Sequence, residues 1–347
     1  MGEKVRFTPI LSIMGRNTDS MTRTKRIAGI TGRMLLLLIL VSILSFVLIV
    51  KAPIDPLTAY VGTESTLSQE AKDEIAQHWG LNDPLPERFL SWAKNTLQGD
   101  MGNSIAFKKP VINVIRERLS YSLVLMLFAW TFSGLLGYGA GVYAGLHKNG
   151  VFDKAIRGFC ILLQSAPTYW MGLLILSLFA VRLGWFPFGM AVPMGKLAAE
   201  VTLPDRIHHL VLPVLTLTVV SIGKITLYTR QKVTEIMDSD YILFARARGE
   251  TDRELRRRHI LRNTLLPAVT LQFASFSELF GGMALAETVF AYPGIGAATT
   301  AAALKGDVPL LLGITLISAL FVFSGNLIAN ILYGVVDPRM REGTDYV

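Results

Sequence analysis

DSDYILFARARGETDRELRRRHILRNTLLP, residues 238–267, is a densely charged insert in an otherwise apolar chain, and its pattern is that of two short helices with a glycine between them. Asp238 or Ser239 can cap the first, because a side-chain oxygen there accepts from backbone N–H groups that lack an intrahelical partner. Gly249 suits its end, since glycine takes the left-handed closing conformation at no steric cost. Thr251-Asp252-Arg253-Glu254 then has the reciprocal capping-box form, so a second helix is expected to open two residues after the first closes. Spacing of i, i+3, i+4 puts Tyr241, Phe244 and Ala245 on one face of the first helix and Arg246, Glu250 and Arg253 near the other. The insert has the form of an amphipathic plug.

What surrounds it belongs in a bilayer. The chain has 347 residues, 51% hydrophobic and only 17% charged, which is too apolar for ordinary soluble domains. Lys plus Arg (34) exceed Asp plus Glu (26), but the basic residues sit beside apolar runs without the interleaved aromatics of a base-stacking surface, so nucleic acid is excluded as a partner. The single cysteine, Cys160, lies in an apolar run; it permits no internal disulfide and no cysteine-based metal site.

A span needs about 20 apolar residues to cross a hydrocarbon core of about 30 Å. Six stretches qualify: Met34 to Val50, Tyr121 to Gly145, Ala155 to Val181, Leu210 to Tyr228, Leu265 to Ala286 and Leu310 to Val335. The first follows a basic segment, 1–33, with no small-residue cleavage site after it, so a retained span is expected. Short loops rich in Lys and Arg stay in the cytoplasm. Lys148, Lys154 and Arg157 mark one such loop, and the nine basic residues from Arg230 to Arg262 mark the other. Both termini are therefore expected in the cytoplasm, with 337–347 as a tail and 51–110 as an external cap. Within that cap, Ser65 to Trp79 (Thr66 and Gln69 as a capping pair) and Pro86 to Leu97 are expected to be helical. Val111 to Leu119 is amphipathic and expected to lie on the outer surface. Gly137, Gly141 and Gly145 form a small-residue face for close helix packing. Pro167 should kink the third span, and Trp170, Trp185 and Phe186 suit the outer interface.

Polar groups inside spans are costly and tend to face a bundle interior or water. Gln272, Ser275, Glu278 and Gly282 follow helical spacing, and the last span adds Asn326 and Asn330 one turn apart; these are candidates for an aqueous pathway, with helix-to-helix hydrogen bonding as the competing role. Lys224 is expected to snorkel toward the cytosolic interface. No G-x-x-x-x-G-K-[ST], H-E-x-x-H or G-x-S-x-G motif occurs, so the chain is not expected to cradle ATP itself. His208-His209 is a weak candidate for a metal and is assigned none.

Residues Asp240-Tyr241, Ala245-Arg246-Ala247-Arg248-Gly249, Arg258-His259, Leu261-Arg262-Asn263 and Leu265-Leu266-Pro267 resemble the cytoplasmic loop of inner-membrane subunits of ATP-binding-cassette importers of the oligopeptide, dipeptide and nickel branch. The strings Gly80-Leu81, Asp83-Pro84-Leu85, Gly99 to Ser104, Glu287 to Phe290, Tyr292-Pro293-Gly294-Ile295-Gly296 and Asp337-Pro338-Arg339 carry the likeness over nearly the whole chain. Leu243 and Phe244 stand where importers in general have Glu and Ala, a departure habitual in this branch. The resemblance implies an all-α, type I permease fold. It makes Asp240, Tyr241, Phe244, Ala245, Arg246, Ala247, Arg248 and Gly249 the coupling helix that docks on an ATPase, and has Glu287, Pro293 and Gly294 border the path. It further implies a bacterial or archaeal inner-membrane protein that binds no cofactor. ATP and Mg would sit on two ATPase subunits, beside a second homologous permease and an extracytoplasmic substrate-binding protein. Nickel or metallophore import is the alternative within the branch. A membrane enzyme using Glu278, His259 and Lys224, or a passive channel, are the alternatives outside it.

Overall fold

The computed structural model describes residues 11–51, 68 and 83–336. Apart from one antiparallel bridge between Asn103 and Pro110, regular structure among them is helical. The order is α1 (Leu11–Val50), α2 (Leu85–Leu97), α3 (Val111–Leu146), α4 (Val151–Ser165), α5 (Thr168–Ile175, prolonged as a π-helix over Leu176–Arg182), a 3-10 turn (Ala198–Glu200) and α6 (Leu203–Met237). There follow α7 (Asp240–Ala247), α8 (Asp252–Glu254), a π-helical stretch (Leu255–Ile260), α9 (Leu261–Ala274), α10 (Phe276–Val289), α11 (Ile295–Leu304) and α12 (Val308–Val336). The expected helix Ser65 to Trp79, apart from Ser68, together with Gly80-Leu81, the tail from Asp337 and the first ten residues, lies outside the described residues.

Among the described residues, four helical stretches are long and apolar enough to cross a bilayer: Thr31–Val50, α3, α6 and Val308–Ala329. The third expected span is not one kinked rod. It is two helices, α4 and the α5 segment, bent by 112°. The cause is local: Ala166, ahead of Pro167, is forced into extended backbone (φ −90°, ψ 126°) and cannot continue the helix. The fifth expected span is also divided, into α9 and α10, which meet at Ser275 (φ −78°, ψ 0°). The i→i−4 ladder still bridges the junction, Ser275 N donating to Leu271 O and Leu279 N to Ser275 O, so the two 14-residue segments follow directly on one another.

Two elements are longer than hydropathy suggested. Val111 to Leu119 does not lie flat; it is the first part of the continuous 36-residue α3, and Val111, Val114 and Ile115 are buried in the main core. Helix α6 runs 35 residues without interruption despite Pro213, about 50 Å at 1.5 Å per residue. Thr202 opens it with a capping box closed by Asp205.

The core joins α3, α5, α6, α10, α11 and α12 through Leu125, Ile175, Leu217, Met283, Ile295 and Leu310. Lipid gives no hydrophobic drive between helices, so contact here depends on close dispersion packing. The glycine face of α3 supplies it against α6. A methyl added at Gly137 would stand 3.0 Å from Ile225 Cβ, at Gly141 2.7 Å from the Thr226 carbonyl oxygen, and at Gly145 2.6 Å from Val233 Cβ. Helix α2 is fastened to α1 by an aromatic trio, Phe46, Phe89 and Trp92, with centroids 5.4 to 5.9 Å apart.

Candidate functional site

The charged insert folds as an elbow at the end of α6. Ser239 Oγ donates back to the Ile236 carbonyl instead of capping α7. Gly249, at φ +85°, closes α7, with its N–H donating to Arg246 O and the Glu250 N–H to Ala245 O. Thr251 Oγ1 accepts from Glu254 N, and the Glu254 carboxylate accepts from Thr251 N and Oγ1. Those bonds hold the exposed Glu254 carboxyl below the usual carboxylate range. The chain then passes through the π-helical stretch, where His259 Nε2 pairs with Glu250 Oε2 at 3.0 Å.

The apolar side chains of α7 divide between an inner and an outer face. Ile242 and Ala245, with Leu255 and Ile236, form a small core of their own, while Tyr241, Leu243 and Phe244 are exposed. Leu243 is 70% and Phe244 65% accessible, so the elbow presents bulky apolar side chains outward. Asp240, Arg246, Ala247, Arg248 and Gly249 are exposed around them, with the Arg248 guanidinium 5.9 Å from the Phe244 ring centroid. Spacing admits both faces, and contact with Leu255 decides between them.

Behind the elbow, α4 is clamped to α6 by a cluster absent from the sequence-derived candidates. The fully buried Asp153 carboxylate accepts from Arg230 Nε (2.6 Å) and Nη2 (2.8 Å) and from Asn149 N (2.8 Å), with Arg157 at 3.5 Å. Such bidentate, charge-assisted pairs are directional as well as strong. Asp153→Asn keeps the shape and removes the charge. It is expected to cost about 2 kcal/mol, read as a lower denaturation midpoint in detergent, and an unchanged midpoint would show that the clamp contributes nothing.

The other end of the bundle is built on two buried carboxylates. Glu287, at the end of α10, accepts from Ser122 Oγ (2.5 Å), Gly296 N (2.7 Å) and Ala297 N (3.3 Å), while Ser122 Oγ accepts from Ile295 N (2.8 Å). It therefore closes the bend through Tyr292, Pro293 and Gly294 by filling the N-terminus of α11. Gly294 is required there, since a Cβ would fall on the Glu287 carboxylate. Asp307 caps α12 through Leu310 N and also accepts from Ser104 Oγ and Ala106 N, tying in the loop before α3. His208 and His209 turn to separate carbonyls, those of Trp185 and Gly189.

The polar stripe of the fifth expected span is divided by the break. Gln272 is buried and bonds α9 to α3, its Nε2 donating to Trp130 O (2.6 Å) and Ser133 Oγ (3.1 Å) while Trp130 Nε1 donates to Gln272 O (3.1 Å). Ser275 Oγ donates to Leu271 O at the break itself. Glu278 is exposed and pairs with Lys224 at 2.7 Å, so Lys224 crosses to α10 instead of snorkelling along its own helix. Asn326 accepts from Ser277 Oγ at 2.8 Å, and Ser277 was not among the expected residues. The side chain of Asn330 lies outside the described ones.

Residues 137–342 match the family described as the binding-protein-dependent transport system inner membrane component, and residues 24–126 match the description of its N-terminal part. The chain is 36% identical over 302 residues to the oligopeptide transport system permease protein AppB of Bacillus subtilis, covering 87% of this chain and 94% of that one. It is 31% identical over 317 residues to the di/tripeptide transport system permease protein DppB of Pseudomonas aeruginosa, again 87% and 94%. A solved inward-facing structure of the MetNI methionine ABC transporter shares the fold at a TM-score of 0.51 and 14% identity, covering 65% of this chain and 97% of that one. A helical multi-pass bundle, a charged elbow and these likenesses converge: the chain belongs to the binding-protein-dependent transport system inner membrane components and is a permease subunit of an ATP-binding-cassette importer.

Proposed function

We propose that this permease forms one half of the translocation path of a peptide importer. A second homologous permease supplies the other half, an external binding protein delivers the solute, and two ATPase subunits carrying ATP and Mg drive alternating access. The relatives named for oligopeptide and di/tripeptide transport support the substrate class. The single observation that supports coupling is the elbow: its inner face, Ile242 and Ala245, is pinned against Leu255, and its outer face shows Tyr241, Leu243 and Phe244. Exposed aromatic and aliphatic anchors ringed by arginines are what a partner groove binds. Glu287, Pro293 and Gly294 in this reading set the shape of the outer path wall, and Gln272 fixes its helices. Glu278 and Asn326 face the solute, with Asn330 one turn along α12 and Ser275 just ahead of α10.

Phe244→Asp tests the coupling. Because Phe244 is exposed, the subunit should keep its thermal midpoint, while co-purification of the ATPase falls by about tenfold or more, as expected for loss of an interface anchor. Ala245 is the poorer choice, since a charge there would unfold the elbow itself. Undiminished co-purification of the ATPase with Phe244→Asp would remove the coupling role. For the solute, a strain lacking the gene should lose ATP-dependent dipeptide uptake; retained uptake would remove the peptide assignment.

A further inference from the structure

The ion pair between Lys224 and Glu278 has no structural task equal to its setting. Lys224 lies within the apolar stretch Leu210 to Tyr228 of α6, and Glu278 within Leu265 to Ala286, now part of α10. Their side chains are 53% and 69% accessible, and Nζ stands 2.7 Å from Oε2. Two charges half open to hydrocarbon are untenable, so this side of the α6–α10 seam faces water or protein. The next residue, Ser277, holds Asn326 of α12, so the exposed polar groups continue along α10 from one neighbouring helix to the other.

We propose that Lys224 and Glu278 form a transit site for a zwitterionic solute, Glu278 receiving the α-ammonium of a short peptide and Lys224 its α-carboxylate; this rests on the peptide-importer reading above. An exposed pair in water is held only weakly, so it opens and recloses at little cost. A molecule that carries one ammonium and one carboxylate exchanges partner for partner and leaves neither protein charge alone. A solute with one end blocked strands one of them, which is the unfavourable case in a confined path. The two groups stand in contact at 2.7 Å, so the pair must part for the two ends of a short peptide, each residue of which spans at most about 3.6 Å, to meet them. The site thus ranks solutes by their free ends while ignoring their side chains, as a carrier of mixed peptides needs.

The test uses the assembled importer without its external binding protein, so that delivery does not select the ligand. Binding of millimolar alanyl-alanine, its N-acetyl form and its C-terminal amide is compared by saturation-transfer NMR for the wild type, Glu278→Gln and Lys224→Gln. The wild type should favour the free dipeptide over either blocked form by about tenfold, the worth of one charge-assisted contact. Glu278→Gln should erase the discrimination against the acetylated form alone, and Lys224→Gln that against the amide alone. Equal binding of all three forms by the wild type, or unaltered preferences in the variants, would overturn the site. So would loss of the second permease from the variant complexes, which would make the pair an inter-chain contact. Peptide uptake by the wild type is scored separately: if it fails, the peptide assignment falls, whereas intact uptake with unshifted preferences removes only the site.

Discussion

Glu287→Ala should leave the permease severely destabilised, by about 4 kcal/mol, seen as poor membrane yield and early unfolding in detergent. The carboxylate is fully buried and accepts from Ser122 Oγ, Gly296 N and Ala297 N. Alanine would leave all three donors without a partner in a site closed to water, and each orphan costs its own desolvation. Glu287→Gln keeps one acceptor oxygen and should lose about half as much. An alanine variant within about 0.5 kcal/mol of the wild type, the spread of innocuous surface changes, would show that the bend is held by Tyr292 and Phe290 packing alone.

Gly141→Leu is expected to separate α3 from α6 and cost about 3 kcal/mol or more. The added carbon meets the Thr226 carbonyl oxygen and Thr229 Cβ, both at 2.7 Å, and neither is the far end of a flexible side chain that could swing away. Gly139 supplies the internal control, because a Cβ there meets nothing within 4 Å. Gly139→Leu should insert and unfold like the wild type. Equal stability of the two variants, measured by urea or thermal unfolding in the same detergent, would refute close packing along this face.

The contrast between those glycines illustrates what the sequence could convey. The period of Gly137, Gly141 and Gly145 announced a packing face because it is a local rhythm, and Gly249 followed by Thr251 announced the elbow for the same reason. Helix boundaries inside apolar runs were less legible. Hydropathy from Leu265 to Ala286 is continuous, so nothing in it reports that Ser275 turns the backbone; the pre-proline Ala166 carried a signal for a bend but not for 112°. The face of α7 that is buried depends on Leu255, which lies in a later helix. The clamps were hidden by distance along the chain: Arg230 is 77 residues from Asp153, Glu287 165 from Ser122 and Asp307 203 from Ser104. Only Asp307 left a local trace, an aspartate one residue ahead of Val308-Pro309, which is the pattern of a helix start.

The unbroken length of α6 has a mechanical consequence. Its softest point is Pro213, where one backbone hydrogen bond is missing. Counting 1.5 Å per residue from there, Lys224 lies about 17 Å down the rod and Met237, at the elbow, about 36 Å. Any rotation about the proline therefore moves the elbow end roughly twice as far as it moves the lysine. On the coupling proposed above, the subunit is geared down: a long stroke at the elbow becomes a short, forceful one at Lys224, which favours leverage over reach.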